Sequence, residues 1–206
     1  MATGFPMARA GMRIGVLGGS FDPAHCGHVD ISRFAKHRFG LDRIWWMLSP
    51  GNPLKSRGPA PLQDRIAAAR RLLHDPDIVV TDVEARLGTR MTADTISELQ
   101  RRYPGVRFVW LMGSDNLVQF DRWDRWRQIA ASVPIGVLSR PGSRVAARHA
   151  PAAQIMRRWR LPQFRAGELV MCDPPAWVLV NLPMSPQSST AIRAARNELK
   201  PDGGAE

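Results

Sequence analysis

Two histidines three residues apart follow a glycine pair near the amino end of the chain. The string is GGSFDPAHCGH, residues 18–28. Paired glycines let a backbone approach a phosphate closely, and a helix N-terminus presents unpaired N–H groups and the positive end of a dipole. At the start of a helix, His25 and His28 can face the same point. Either histidine alone would be interpreted as a surface residue, but the whole string favours binding of an anion that gains charge during a reaction.

Other chemistries fit this string poorly. A Walker loop needs Gly-Lys, which occurs nowhere in the sequence, and the GxGxxG dinucleotide fingerprint is absent as well. A metal-dependent hydrolase using His25 and His28 lacks a third ligand at suitable spacing. The two cysteines, Cys26 and Cys172, form neither a CxxC pair nor a disulfide framework. They are typical of a reduced, cytoplasmic protein.

The composition predicts one folded domain. With 206 residues, 44% of them hydrophobic and 23% charged, the chain can bury a substantial core. No apolar run approaches the roughly 18 residues that span a bilayer, so neither a membrane segment nor a secretory signal is expected. Residues 1–12 lack apolar periodicity and are predicted to form a flexible tail, leaving residues 13–206 as the domain.

The charge balance raises the question of a nucleic-acid partner. The chain has 29 basic and 18 acidic residues, a net charge of +11, and only three of the basic residues are lysine. The arginines are scattered along predicted helices and not gathered in one block, and no zinc-finger or RRM signature is present. We therefore assign most of this charge to solvated helix faces, including those of Arg65, Arg70, Arg71, Arg101 and Arg102.

The elements that must position the histidines alternate between strands and helices. Short apolar runs predict strands over 14–18, 44–48, 78–83, 106–112, 135–138 and 177–182. Helical spacing predicts helices over 27–39, 62–74, 92–103, 123–131, 144–159 and 189–199, with Thr92 as an N-cap. This alternation is typical of a Rossmann-like, doubly wound parallel α/β sheet, which binds ligands beyond the carboxyl ends of its strands.

Three segments resemble a known group of enzymes. GGSFDPxHxGH is similar to the signature of the nucleotidyltransferase superfamily with the HxGH motif, and SSTAIR, residues 188–193, resembles its SxTxxR element. FVWLMGSDNL, residues 108–117, followed by Phe120 and Trp123, resembles one branch, the bacterial nicotinate-nucleotide adenylyltransferases. The resemblance covers residues 13 to about 199. It departs locally, because Arg90-Met91 stands where the branch keeps Ser-Tyr, and Leu54 where a histidine precedes the matching Lys55.

The resemblance implies adenylyl transfer from ATP to nicotinate mononucleotide, giving nicotinate adenine dinucleotide and pyrophosphate in NAD biosynthesis. It implies His25, His28, Lys55 and Arg193 as catalytic residues. For ATP it implies those two histidines and Arg193 together with Gly18, Gly19, Ser20, Phe21, Ser188 and Thr190. For nicotinate mononucleotide it implies Gly19, Ser20, Thr92, Asp115 and Trp123. Magnesium is expected to arrive with ATP, bound mainly by phosphate oxygens and water, with no metal site in the protein.

Several alternatives stay open at this point. A related transferase could act on nicotinamide mononucleotide or phosphopantetheine, although the latter group usually has Thr where His25 stands. A basic nucleic-acid-binding protein would belong to another class and would leave both motifs unexplained. Trp123 could be an ordinary core aromatic, and Asp115 could cap a helix. His37, His74 and His149 are interpreted as bystanders, and the oligomeric state, homo-oligomers included, is left open.

Overall fold

A computed structural model describes residues 5–51, 58–139 and 144–182. Seven strands form one sheet in the order β3-β2-β1-β4-β5-β7-β6, and all neighbouring strands are parallel. The strands are β1 (Arg13–Gly19), β2 (Arg43–Leu48), β3 (Ile78–Thr81), β4 (Arg107–Gly113), β5 (Ile135–Ser139), β6 (Arg160–Leu161) and β7 (Trp177–Asn181). The predicted doubly wound α/β fold is thereby confirmed.

Helices cover both faces of the sheet. They are α1 (Cys26–Arg38), α2 (Leu62–Leu72), α3 (Val83–Leu87), α4 (Thr92–Arg102), α5 (Ser114–Val118), α6 (Trp126–Ser132), α7 (Arg144–His149) and α8 (Pro151–Ile155), with short 3-10 helices at Phe120–Arg122, Arg157–Trp159 and Gln163–Met171. None of the helices in the described part of the chain has the length and apolar character needed to cross a bilayer.

The core has two layers because successive strand residues point to opposite faces. Val16, Trp45 and Trp110 pack on the face covered by α3 to α8. Their strand neighbours Leu17, Trp46 and Leu111 pack on the face covered by α1, α2 and the 3-10 helix at Gln163–Met171. Both faces are therefore buried, which explains why the strands are continuous apolar runs instead of alternating ones.

Three predicted boundaries were wrong for identifiable reasons. The third strand ends at Thr81, whose Oγ1 accepts the Val83 N–H at 3.1 Å and so starts α3 instead of extending the strand. Thr92 is the first residue of α4, and the extended Met91 is its N-cap. The helix predicted over 144–159 breaks at Pro151, because proline lacks a donor and forces the residue before it out of helical conformation.

The prediction of a flexible tail over residues 1–12 does not hold for residues 5–12. The Tyr103 hydroxyl donates to the carbonyl of Pro6 at 2.7 Å, and the Gly11 N–H donates to the carbonyl of Gly105 at 2.8 Å. The guanidinium of Arg102 lies over the Phe5 ring at 3.5 Å from its centroid. These contacts attach the segment to the turn after α4, and Phe5 packs against the core.

The strand order places a ligand-binding crevice between β1 and β4. From β1 the chain proceeds outward through β2 and β3, and it then returns to place β4 on the other side of β1. The strand order reverses between β1 and β4, so the loops that follow these strands diverge and open a crevice at the carboxyl edge of the sheet.

Candidate active site

A cleft of about 700 Å³ occupies this switch point. Its floor is formed by the ends of β1 and β4, and its walls come from α1, the start of α4, and the segment from α5 to Trp123. The lining includes nearly all of the described residues that the sequence predicted for substrate binding: Gly18, Gly19, Ser20, Phe21, His28, Thr92, Asp115 and Trp123. These residues come from five separate stretches of the sequence and line one space large enough for a nucleotide.

The end of β1 is shaped by a close approach between strands. A Cβ added to Gly18 would lie 2.9 Å from the Trp110 ring, so only glycine lets this tryptophan form the cleft floor. Phe21 has a positive φ of 46°, and its ring stacks on Trp46 with centroids 4.9 Å apart. The turn therefore buries the Phe21 side chain beneath the loop while its backbone stays beside the cleft.

The histidine pair lies at the start of α1, as its spacing predicts. His25 is the N-cap residue and His28 is in the first turn, with ring centroids 3.9 Å apart. His28 lines the cleft, whereas His25 is 5% exposed and lies behind it. The structure brings the two rings together but presents only one of them directly to a ligand.

Hydrogen bonds fix the orientation of His28. The backbone N–H of His25 donates to Nδ1 of His28 at 3.3 Å, which places the proton of the neutral imidazole on Nε2. Beneath it, the Trp46 indole donates to Oγ of Ser32 at 2.7 Å, and that hydroxyl donates to the His28 carbonyl at 2.8 Å. The ring is thus held as an Nε2 donor, the form that can bind a phosphate oxygen.

Arg65 was assigned to a solvated helix face, and this was wrong. It is 3% exposed, and its guanidinium donates to the carbonyls of Ser20 at 2.6 Å, Ser49 at 2.9 Å and Ala60 at 2.6 Å. Burial lowers the pKa of Arg65, while the charge of Asp22 raises it. One side chain from α2 therefore joins the loop after β1 to the loop after β2.

Glu84 is a second residue that the sequence analysis missed. It lies on α3, is 4% exposed and lines the cleft, as Met91 and Thr92 also do. Burial raises its pKa to about 7, although hydrogen bonds from Ser49 and Thr95 act in the opposite direction. Its Oε2 has no hydrogen-bond partner among the described residues. The cleft therefore contains a buried carboxyl group that exchanges a proton near neutral pH.

The part of the cleft wall between α5 and Trp123 is aromatic and polar. Trp123 packs edge-on against Trp110 and Phe120, with centroids 6.5 and 5.4 Å away, and the rest of its surface lines the cleft. It is therefore both a core-packed ring and an available stacking surface. Asp115 lies in the first turn of α5, whose N-cap is Gly113, so it does not cap this helix.

The departure from the family pattern at Arg90-Met91 also lies at the cleft. Arg90 lines it while staying exposed. Arg86, the other nearby arginine in the sequence, bonds to Asp82 at 2.6 Å and is not part of the lining. Of these two arginines, Arg90 is the one placed to meet a bound anion.

Four predicted site residues lie outside the described residues: Lys55, Ser188, Thr190 and Arg193. Their assignments remain predictions. Arg65 was missed because it occurs in a helical pattern rich in charged residues. Glu84 was missed because it lies in a charged stretch for which no helix was predicted, and solvent exposure is the expected state of both residue types. Nothing in the sequence marks the carbonyls that Arg65 binds, since they belong to two separate loops.

A doubly wound sheet with an HxGH helix at its switch point defines a nucleotidyltransferase fold, and comparison with known proteins agrees. The chain belongs to the cytidylyltransferase-like family, whose sequence model matches residues 16–195. It is 57% identical over 194 residues to a probable nicotinate-nucleotide adenylyltransferase of Roseobacter denitrificans, covering 94% of this chain and 98% of the relative. The resemblance inferred from the sequence motifs is confirmed.

Two further comparisons point the same way. A probable nicotinate-nucleotide adenylyltransferase of Cereibacter sphaeroides strain ATCC 17025 is 61% identical over 183 residues, covering 89% of this chain and 97% of the relative. The solved structure of Plasmodium falciparum nicotinic acid mononucleotide adenylyltransferase complexed with NaAD superimposes with a TM-score of 0.65. It shares 18% identity and covers 89% of this chain and 83% of its own, so it supports the fold.

Proposed function

We propose that this protein is a nicotinate-nucleotide adenylyltransferase, which transfers the adenylyl group of ATP to nicotinate mononucleotide. The observation that carries this proposal is the placement of His28, held as an Nε2 donor in the first turn of α1, in the same cleft as Trp123. The first feature suits reacting phosphates and the second suits an aromatic ring. The high identity to relatives that bear this activity in their names supports the assignment.

The reaction needs no protein nucleophile. A phosphate oxygen of nicotinate mononucleotide attacks the α-phosphorus of ATP, the bond to the bridging oxygen breaks, and pyrophosphate leaves with the electron pair. The attacking phosphate is largely ionised at neutral pH, since its second pKa is about 6. Catalysis then consists of alignment and stabilisation of charge moving toward the leaving group.

We assign the alignment of the substrates and the stabilisation of the leaving group to different residues. His28 donates from Nε2 to the α-phosphate, and the backbone from Gly18 to Phe21 approaches the phosphates of both substrates. His25 orients His28 through its backbone N–H. Lys55 and Arg193 are assigned to the leaving pyrophosphate, with Ser188 and Thr190 as further donors, on the strength of their motifs.

Magnesium is proposed to enter with ATP, where it supplies positive charge to the phosphate oxygens. Residues 5–51, 58–139 and 144–182 contain no group of three or more His, Cys, Asp or Glu side chains that could hold a metal ion. The ion we propose is held mainly by phosphate oxygens of the nucleotide and by water.

The pyridine end is proposed to select the acid over the amide. Thr92, the Met91 backbone and Arg90 lie together on the cleft wall and offer donors and a positive charge. The amide of nicotinamide mononucleotide would meet these donors with its own NH₂ and leave polar groups unpaired, which is an effective source of discrimination.

The setting we propose is the cytoplasm, without a nucleic-acid partner. Both cysteines are free, which is typical of proteins in a reducing compartment. Self-association stays open.

The test is incubation of the purified protein with ATP, Mg²⁺ and either mononucleotide, with pyrophosphate release measured. We expect kcat/KM for nicotinate mononucleotide to exceed that for the amide by at least about a hundredfold. Equal values would contradict the acid-selective assignment, and no release with either substrate would contradict the proposed function. The variant Arg90→Ser should reduce the ratio, and Arg70→Ser, on exposed α2 surface, is its control.

A further inference from the structure

A second, smaller cavity lies at the opposite edge of the sheet from the cleft. It has a volume of about 310 Å³ and is lined by α7, α8 and the first residues of β6 and β7. Trp177 begins β7, whereas the cleft opens where the strands end. The two sites are separated by about the length of β7, roughly 13 Å at 3.3 Å per residue. We call this cavity the arginine pocket and define it by Arg148, Arg157, Arg160, Val145, Ala153 and Trp177.

Three guanidinium groups converge on this pocket. Arg148 is at the end of α7, Arg157 follows α8, and Arg160 is the first residue of β6. No ion pair within the described residues involves any of the three. Some other arginines are paired with carboxylates, as Arg101 is with Glu98, and others are not. What distinguishes these three arginines is that they line one cavity.

Arg160 shows that these charges affect one another. Its side chain is half-buried over the Trp177 ring, 5.3 Å from the centroid. Burial lowers its pKa, and the positive charges of Arg148 and Arg144 lower it further. Holding like charges together beside a partly desolvated cation costs free energy, and a bound anion would recover it.

The rest of the lining identifies what kind of anion would fit. Val145, Ala153 and the Trp177 ring give the pocket an apolar wall, and Gln154 and His149 add polar groups. No carboxylate belongs to the described lining. Guanidinium forks match the tetrahedral oxygens of a phosphate, and three of them suit a dianion better than a single carboxylate. The volume is at the lower end of ligand sites.

We propose that the arginine pocket is a binding site for a small organic phosphate, separate from the cleft. The phosphate lies among Arg148, Arg157 and Arg160, and the organic part contacts Val145, Ala153 and Trp177. His149, interpreted from the sequence as a bystander, is part of this site. The proposal does not rest on the proposed function, since none of these residues lines the cleft.

The test uses the indole N–H signals of the seven tryptophans in a ¹H–¹⁵N spectrum of the full chain. The indole N–H of Trp177 donates to the Met156 carbonyl at 2.8 Å and reports on the pocket, while Trp110 and Trp123 report on the cleft. The probes are phenyl phosphate and inorganic phosphate, titrated at constant ionic strength. We expect a saturable shift of the Trp177 signal, with phenyl phosphate binding more tightly than inorganic phosphate.

Variants make the result specific to the pocket. Arg148→Gln with Arg157→Gln, both at exposed positions, should raise the Kd measured at Trp177 at least about tenfold, since two charge-assisted contacts are lost. The matched control, Arg70→Gln with Arg71→Gln, removes the same charge from α2 and should leave that Kd unchanged. Signals from Trp110 and Trp123 should respond equally in all three proteins.

Three results would overturn the proposal. The Trp177 signal could fail to shift, as it would if acidic side chains of the chain itself filled the pocket. It could shift without saturating, or with the same Kd in the Arg148 and Arg157 variant. It could also follow the cleft signals along one binding curve, which would make the change at Trp177 an indirect effect of cleft binding.

Discussion

A buried carboxyl group gives the cleft a titration near neutral pH. Glu84 has a pKa of about 7, raised by burial above its ordinary value of 4.5. The folded state therefore holds this proton more tightly than the unfolded state. The stability contributed by Glu84 is fully present below pH 4.5 and is lost as the pH rises through 7.

Glu84→Gln should consequently be more stable than the wild type at pH 8 and gain nothing at pH 4.5. A shift of this size corresponds to a difference of up to roughly 3 kcal/mol between the two pH values. Urea unfolding at several pH values measures it, with Glu98→Gln, at a surface position, as the control. Parallel stability curves for the wild type and Glu84→Gln would contradict a pKa near 7.

The same titration bears on substrate binding. Above pH 7 an ionised Glu84 would repel the carboxylate of the pyridine ring, because Glu84 lines the same cleft as Met91 and Thr92. We expect KM for nicotinate mononucleotide to rise between pH 7 and 8.5 in the wild type and to stay level in Glu84→Gln. An identical rise in both proteins would assign the effect to the substrate.

At the scale of elements, α2 is connected to the cleft through one side chain. Arg65 donates to the carbonyls of Ser20 and Ser49, so it fixes the loop after β1 relative to the loop after β2. Lysine cannot reproduce this, because one ammonium lacks the planar fork that reaches acceptors on separate loops.

Arg65→Lys should therefore lower kcat/KM for ATP by about ten- to a hundredfold, since a small displacement of the phosphate loop misaligns the reacting groups. Loss of these bonds should also destabilise the fold by on the order of 2 kcal/mol. Steady-state kinetics and thermal unfolding measure the two effects, and Arg70→Lys on the same helix is the control. Unchanged ATP kinetics in a folded Arg65→Lys protein would show that the loop is held by other contacts.

The strands and helices also show which parts of the fold could be predicted from the sequence. The strands were predicted closely because β1, β2, β4, β5 and β7 are buried on both faces and therefore form uninterrupted apolar runs. Two limits were less accurate. Strand β3 ends at Thr81, whose side chain accepts a hydrogen bond from the start of α3, and the helix predicted over 144–159 breaks at Pro151, which lacks a donor. The 3-10 helix at Gln163–Met171 was not predicted, since its i,i+3 pattern over Ala166 and Leu169 resembles neither a strand nor a long helix.

At the scale of the whole molecule, the residues of the motifs could be predicted from the sequence. The buried residues that hold the cleft together, and the second cavity, could not. GGSFDPAHCGH fixes its own turn and helix start, so His28 was found directly from local sequence. Arg65, Glu84 and the arginine pocket depend on contacts between segments far apart in the chain, and their residue types in helical patterns ordinarily indicate solvent exposure. The net charge of +11 therefore includes a buried structural cation and a cluster around a cavity, besides solvated helix faces.

The central claim is that His28 acts on the reacting phosphates, and the turnover number of His28→Ala tests it most directly. Loss of one preorganised donor should lower kcat for pyrophosphate release by about 10² to 10³, while KM for nicotinate mononucleotide changes by less than about threefold. His74→Ala, at an exposed position, should match the wild type. A folded His28→Ala protein with near-wild-type kcat would contradict the account.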